Sequence, residues 1–156
     1  MPPQDGKTDL YAQLEAQLSS LLAGERDLIA NAANFSSLIF HSLPDLNWAG
    51  FYFVKDEGLV LGPFQGRPAC MRIEIGKGVC GTAAAKRFTT IIPNVHEFPG
   101  HIACDSASNS EIVIPLMKGE RLIGVLDLDS PVLARFNEED AAGLETLVRV
   151  LLSSVR

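Results

Sequence analysis

The 156-residue sequence contains few cysteines, no excess of basic residues and no long apolar run. Its three cysteines, Cys70, Cys80 and Cys104, are too few for a disulfide-built scaffold, so in a reducing compartment each is expected to be buried, metal-bound or reactive. Lys and Arg are scattered singly and the net charge is −6, which argues against nucleic acid as a partner. The apolar stretches 111–116 and 122–128 are far shorter than the roughly 20 residues of a membrane helix, so no membrane association is expected.

The start of the chain, MPPQDGKTDL, has no apolar core behind a basic segment. A secretory signal is therefore not expected, and the predicted location is the cytoplasm. Hydrophobic residues make up 47 % and charged residues 21 % of the chain, values that are normal for a globular domain. This length supports one hydrophobic core but not two ordinary domains. We therefore expect residues 1–156 to form a single domain with one functional site.

Apolar residues at three- and four-residue spacing predict two helices at the start of the chain. The inward positions of the first are Leu10, Leu14, Leu18, Leu21 and Leu22, and Gly24 ends it. The second is predicted from about Asp27 to His41 and stops before Pro44. Its inward positions are Leu28, Ile29, Ala32, Phe35, Leu38 and Ile39.

Aromatic and β-branched residues then predict a series of strands. WAGFYFV and LVLGPFQG form a hairpin around the turn DEG, and MRIEI alternates as a further strand. GKGVCGTAAAKR predicts a glycine-led turn into a short helix, and TTIIP a short strand. Residues 94–110 lack a clear period, and such long loops in compact domains are usually functional or disordered.

EIVIPLMKGERLIGVLDLDS predicts the strongest hairpin, with its turn at residues 118–120. Strand alternation places Asp127 and Asp129 on the same face of its second strand. A closing helix follows, with Asn137 as its N-cap and Asp140 at its third position. Its core-facing residues are Leu144, Leu147, Val148 and Leu151.

Four blocks of this sequence together resemble one known family: NWAGFYFV, LGPFQGRPACMRIEIGKGVCGTAA, IIPNVHEFPGHIACDSASNSEIVIPL and GVLDLDSPVLARFNEED. They cover about residues 48–140 and resemble the stand-alone GAF-domain enzymes that reduce free methionine-(R)-sulfoxide. The joint spacing of the three cysteines and the later acids makes the match specific. The resemblance implies a GAF fold of the α/β (α+β) class. A central, mostly antiparallel sheet is then flanked by N- and C-terminal helices, with a short helix and long loops over the pocket.

The resemblance also implies the roles of two cysteines. Cys104, in HIACDS, is the thiol that attacks the sulfoxide sulfur. Cys70, in PACMRI, resolves the resulting sulfenic acid as a disulfide, which thioredoxin then reduces. Neither a bound cofactor nor a metal is implied. GAF domains often pair through terminal helices, which favours a homodimer.

Further residues are assigned to the substrate by the same resemblance. Carboxylates at Glu111, Asp127 and Asp129 hold the amino group and the sulfoxide oxygen, and the Trp48 indole lies against the methyl group. Tyr52, four residues further along the same strand, shares the face of Trp48. A sulfoxide oxygen leaves well only when protonated, so the thiol needs an acid such as Glu111 or Asp129 opposite it. Neighbouring carboxylates raise one another's proton affinity, whereas a cationic substrate amine opposes that shift.

Several of these residues also have simpler interpretations. Cys80 is predicted at a helix N-terminus, where a thiolate is stabilised, so it competes with Cys104 as the nucleophile; packing and an auxiliary thiol are its other interpretations. Cys70 fits an inert strand-edge thiol. The two aspartates fit solvated strand ends, and the two aromatic residues fit ordinary core positions.

His96 and His101 stand before Cys104 in the same loop and suggest a zinc site or a Cys–His pair. No second cysteine or histidine stands at short ligand spacing, so a role in stabilising the loop is favoured and no metal is expected.

Two other functions compete with the reductase interpretation. One is a small-molecule sensor, since GAF domains also bind cyclic nucleotides or bilins. It is disfavoured because no output domain is apparent and the Asn-Lys-Phe-Asp-Glu signature of cyclic-nucleotide GAF domains is absent. The other is a redox sensor, in which Cys70 and Cys104 report oxidants without any substrate.

Overall fold

The computed structural model describes residues 6–101 and 107–156. The helices are α1 (Gly6–Leu22), α2 (Leu28–Ser42), α3 (Gly78–Lys86) and α4 (Glu138–Ser154). The strands are β1 (Trp48–Lys55), β2 (Gly58–Gly66), β3 (Arg72–Glu74), β4 (Thr90–Ile92), β5 (Ser110–Lys118) and β6 (Arg121–Ser130). Among the described helices, none is long and apolar enough to cross a membrane.

The six strands form one sheet in the order β3-β2-β1-β6-β5-β4, and every neighbouring pair is antiparallel. This confirms the predicted central sheet, with β1 and β6 in its middle. The predicted loop at residues 94–110 is more regular at its ends than expected. It opens with the 3-10 turn Val95–Glu97, and its last residue, Ser110, begins β5. Residues 102–106 of that loop lie outside the described residues.

Alternation along the central strands divides their side chains between two buried faces. On β1, Ala49, Phe51 and Phe53 pack in one core with α1, α2 and α4. The sheet residues that join this core are Ile112, Ile114 and Leu116 of β5 and Leu126 and Leu128 of β6. On the opposite face, Trp48 and Tyr52 pack in a smaller cluster with residues of α3. Each central strand is therefore covered on both sides.

The predicted inward orientation of two residues in the leading helices is wrong. Leu21 is 46 % exposed and Ile29 is 52 % exposed. The buried residues of α1 include Leu14, Leu18 and Leu22, which follow one helical face. Consecutive helical residues point about 100° apart, so Leu21 and Leu22 cannot both face the core.

Asp140 connects the first and last helices. Asn137 caps α4 as predicted, and the Asp140 carboxylate accepts a hydrogen bond from the Asn137 backbone N–H at 2.9 Å, which completes a capping box. The same carboxylate accepts hydrogen bonds from the Tyr11 hydroxyl at 2.7 Å and from Lys7 Nζ at 2.7 Å. Because Asp140 is almost fully buried, these contacts fix how α1 and α4 pack together.

We expect Asp140→Ala to lower the free energy of unfolding by about 2–4 kcal/mol, because it removes a helix cap and leaves the buried Tyr11 hydroxyl without its acceptor. Urea unfolding followed by circular dichroism measures the loss. Glu139→Ala is the matched control, since that exposed side chain lies in the same turn. Equal losses in the two variants would show that Asp140 acts only through the helix dipole.

Candidate active site

A pocket that is partly open to solvent lies on the face of the sheet that carries α3. Six of the predicted site residues line it: Trp48, Tyr52, Cys80, Glu111, Asp127 and Asp129. They come from β1, α3, β5 and β6, so the fold brings together side chains that are up to 81 positions apart in the sequence. Cys70 does not line the pocket, but it packs against the cluster that contains Trp48 and Tyr52.

Strand register aligns the acidic and aromatic residues of the pocket. Asp129 of β6 lies opposite both Trp48 of β1 and Glu111 of β5, so these three form a row across neighbouring strands. Asp127 lies two residues before Asp129 on the same face, opposite Gly50. The exposed fractions of Glu111, Asp127 and Asp129 are only 5 %, 6 % and 9 %. The alternative of solvated strand-end acids is therefore excluded.

Aromatic rings line the pocket beside the acids at Trp48 and Tyr52, and Phe64 supports them from outside the lining. The Trp48 ring stacks between Tyr52 and Phe64, with centroid distances of 5.9 and 5.2 Å. Gly50 makes this packing possible, since a Cβ there would lie 2.3 Å from the Cβ of Phe64. A flat apolar surface of this kind can hold a methyl or thioether group.

Two of these aromatic residues also hold the segment that carries Cys70. Trp48 Nε1 donates a hydrogen bond to the Arg67 carbonyl oxygen at 3.1 Å. The Tyr52 hydroxyl donates to the Cys70 carbonyl oxygen at 2.9 Å. The pocket wall and the backbone of Cys70 therefore form one connected structure.

Burial raises the pKa of two of these acids, Glu111 and Asp127. It raises the pKa of Glu111 from 4.5 to about 8, with a further contribution from the nearby charge of Asp129. Burial, followed by the charge of Glu111, raises the pKa of Asp127 well above its ordinary range. Asp127 Oδ1 is buried and accepts no hydrogen bond from any described residue. At neutral pH the pocket thus contains carboxyl groups that retain protons and a buried oxygen that lacks a donor.

The alternative that a helix N-terminus activates Cys80 is disfavoured by the surroundings of this thiol. Cys80 is the third residue of α3, but its side chain is buried and its Sγ lies 3.9 Å from Glu111 Oε2. Burial, and then the charges of Asp127 and Glu111, raise the pKa of this thiol well above its ordinary value. Desolvation and like charge outweigh the helix dipole, whose effect is typically 0.3–1 kcal/mol. Cys80 is therefore held as a neutral thiol.

Of the two other cysteines, Cys70 is among the described residues and Cys104 is not. Cys70 is half-buried and disulfide-bonded, whereas Cys80 is the free cysteine among the described residues. Cys104, the predicted nucleophile, lies outside the described residues. Its assigned role therefore stays a prediction.

The two loop histidines have different environments. His96 Nε2 lies 2.8 Å from Asn109 Oδ1, which confirms a role in stabilising the loop. His101 instead lines the pocket, with its Nε2 3.9 Å from Glu111 Oε1. Burial, and then the charge of His96, lower the pKa of His101, so it is neutral at pH 7.

Sequence analysis did not assign three of the pocket residues, His101, Lys77 and Ser108, to the site. Asn47 Nδ2 donates a hydrogen bond to Ser108 Oγ at 3.0 Å, which ties the loop to the start of β1. The closeness of His101 to Cys104 in the sequence was the one available signal, and nothing in the local pattern marks the other two.

Comparison with known proteins identifies the family. The GAF domain family model matches residues 14–153. The free methionine-R-sulfoxide reductase of Escherichia coli (strain K12) is 54 % identical over 93 % of this chain and 88 % of its own length. This chain belongs to the free methionine-R-sulfoxide reductase family of GAF domain proteins.

Solved structures of this reductase family have the same fold. The fRMsr of Staphylococcus aureus in complex with substrate is 46 % identical, has a TM-score of 0.90, and covers 94 % of this chain and 95 % of its own. The free methionine-R-sulfoxide reductase of Neisseria meningitidis in complex with its substrate is 45 % identical, with a TM-score of 0.89, and covers 92 % of this chain and 87 % of its own. The GAF fold of mixed α/β class predicted from the resemblance is confirmed.

We expect Glu111→Gln to stabilise the protein more at pH 8 than at pH 5. Because the folded pKa of about 8 lies above the ordinary value of 4.5, the unfolded chain releases this proton first as pH rises, and the wild type loses stability between these two values. The amide does not titrate, so the variant avoids that loss. The melting-temperature difference from wild type should grow by about 4 °C or more from pH 5 to pH 8.

The exposed residue Glu74, outside the pocket, gives the matched control Glu74→Gln, which makes the same acid-to-amide replacement where the side chain is not buried. A difference for Glu111→Gln that is the same at both pH values would contradict the raised pKa of this carboxyl.

Proposed function

We propose that this protein reduces free L-methionine-(R)-sulfoxide to methionine. The observation that carries this proposal is the group of buried carboxyl groups at Glu111, Asp127 and Asp129, which line one pocket together with the aromatic rings of Trp48 and Tyr52. A small ligand with an ammonium group, a polar oxygen and a methyl group complements that arrangement. The relatives named as free methionine-R-sulfoxide reductases and the two substrate complexes support the substrate and its epimer.

The acids have two tasks in this proposal. An ionised carboxylate binds the substrate ammonium, and binding of that cation restores charge to a group that burial otherwise keeps neutral. A carboxyl group that keeps its proton, such as Glu111 with its pKa of about 8, donates to the sulfoxide oxygen as the oxygen leaves sulfur. The aromatic wall holds the methyl group, which orients the sulfur.

The proposed chemistry requires two thiols in sequence. The Cys104 sulfur attacks the sulfoxide sulfur and forms an S–S bond, and the thiol proton replaces the one that the carboxyl group gives to the oxygen. As the S–S bond breaks, the hydroxyl passes to Cys104, so methionine leaves and Cys104 becomes a sulfenic acid. The Cys70 thiol then displaces that oxygen as water and forms a disulfide with Cys104. The disulfide bond at Cys70 and the raised pKa of Cys80 support this choice of cysteines.

We further propose that thioredoxin is the external reductant. Met71, directly after Cys70, is 75 % exposed, which gives a protein dithiol an accessible apolar contact beside the bridge. The protein is then a cytoplasmic enzyme with no bound cofactor, since its reducing equivalents arrive by thiol–disulfide exchange. A homodimer paired through the terminal helices remains part of the proposal.

The decisive assay compares free L-methionine-(R)-sulfoxide with its N-acetyl derivative in thioredoxin-coupled turnover. We expect kcat/KM to fall at least tenfold for the N-acetyl form. It lacks the ammonium, and a hydrogen bond to a charged group contributes about 1.5–3 kcal/mol. Comparable rates would contradict recognition of a free amino acid. No turnover of either compound, with reversible oxidation of the thiols, would favour the redox-sensor alternative.

Single-turnover variants separate the two proposed thiol steps. Cys104→Ser should form no methionine, because it removes the nucleophile. Cys70→Ser should still form about one methionine per subunit but lose thioredoxin-linked turnover, since it has no disulfide for thioredoxin to attack. Mass spectrometry counts the methionine released, and Cys80→Ser is the third arm. Methionine formation by Cys104→Ser that disappears when Cys80 is also replaced would move the nucleophile to Cys80.

A further inference from the structure

Three different ligand groups converge at one end of the pocket. Cys80 Sγ, a Glu111 oxygen and an Asp127 oxygen all lie within 4.8 Å of one another, and all three residues are buried. They come from α3, β5 and β6, so the sheet and its covering helix hold them in place. We propose that these three residues bind a zinc-like divalent cation, Zn²⁺ or Cd²⁺. The ion would occupy the same group of buried carboxylates that binds the substrate ammonium in the proposed function.

The spacing of the three atoms suits such an ion. Zinc binds thiolate sulfur at about 2.3 Å and carboxylate oxygen at about 2.0–2.2 Å, so tetrahedral ligands lie roughly 3.5 Å apart. Side-chain adjustments of about an ångström bring the three atoms into that range. Three protein ligands leave a fourth position of the tetrahedron for water or another small ligand.

A second observation indicates that this place lacks a positive partner. Asp127 is 6 % exposed and lines the pocket, yet its Oδ1 accepts no hydrogen bond from the described residues. A buried acceptor without a donor destabilises the protein, and more so when it is charged. A bound cation removes that destabilisation.

The thiol determines which cations fit. A sulfur ligand among two carboxylates selects borderline and soft ions such as Zn²⁺ and Cd²⁺. Mg²⁺ requires near-octahedral oxygen coordination and retains its water, which this site does not offer. On binding, the Cys80 thiol releases its proton to solvent as the metal–sulfur bond forms. Metal binding thus gives Cys80 a function, although this thiol is poorly suited to be a nucleophile.

Cd²⁺ titration of the oxidised protein tests the site. Thiol titration must first give one free thiol per chain, so that any sulfur-to-cadmium charge-transfer band reports Cys80. We expect a band that saturates at one Cd²⁺ per chain, is lost in Cys80→Ser, and needs at least tenfold more Cd²⁺ in Asp127→Asn. Glu74→Gln, which changes an exposed acid outside the pocket, is the matched control with wild-type affinity. Excess Mg²⁺ should not displace Cd²⁺.

A competition experiment links the metal to the proposed substrate position, and this link rests on the proposed function. Free methionine sulfoxide should weaken Cd²⁺ binding, whereas the N-acetyl derivative, which carries the same sulfoxide without the ammonium, should not. Absence of the band, or an equal band in Cys80→Ser, overturns the metal site and leaves the reductase proposal standing. A normal band without competition confirms metal binding by these residues and overturns only the shared position.

Discussion

Burial of three carboxyl groups on the α3 side of the sheet is the constraint on which the pocket depends. The acids cannot turn to solvent because their neighbours along the strands, such as Ile112 and Leu128, are fully buried beneath the helices on the other face. Rotating either strand would expose those residues at a cost of about 1.5–3 kcal/mol each. The helix-side core therefore holds the acids in place, and the raised pKa of Glu111 is the result.

Strand alternation made much of this arrangement predictable. The pattern Asp127-Leu128-Asp129 already placed two acids on one face, and the shared face of Trp48 and Tyr52 followed from the same rule. Alternation alone could not say which strands become neighbours. The row from Trp48 through Asp129 to Glu111 depends on β1 and β5 pairing with opposite edges of β6, which is a non-local property of the fold.

Cys80 illustrates where local reasoning fails. Its place in the first turn of α3 was predicted correctly, and a helix N-terminus does favour a thiolate. The environment that decides its pKa, however, is supplied by Glu111 and Asp127, which lie on strands about 30 and 50 residues later in the sequence, respectively. Sequence analysis did not place His101 in the pocket for a similar reason. A sequence window shows the neighbours of a residue along the chain but not the charges and walls that face it across a pocket.

The buried acids affect both the stability of the protein and its selectivity for ligands. Any cation that reaches the buried carboxyl groups removes part of the cost of ionising them there, whereas an anionic ligand adds to that cost. Selection among cations then depends on the surrounding groups. The aromatic wall favours an organic ammonium with an apolar methyl group, and the Cys80 sulfur favours a metal that binds thiolate. The proposed competition between these two kinds of ligand thus follows from placing a thiol and an aromatic surface beside the same buried acids.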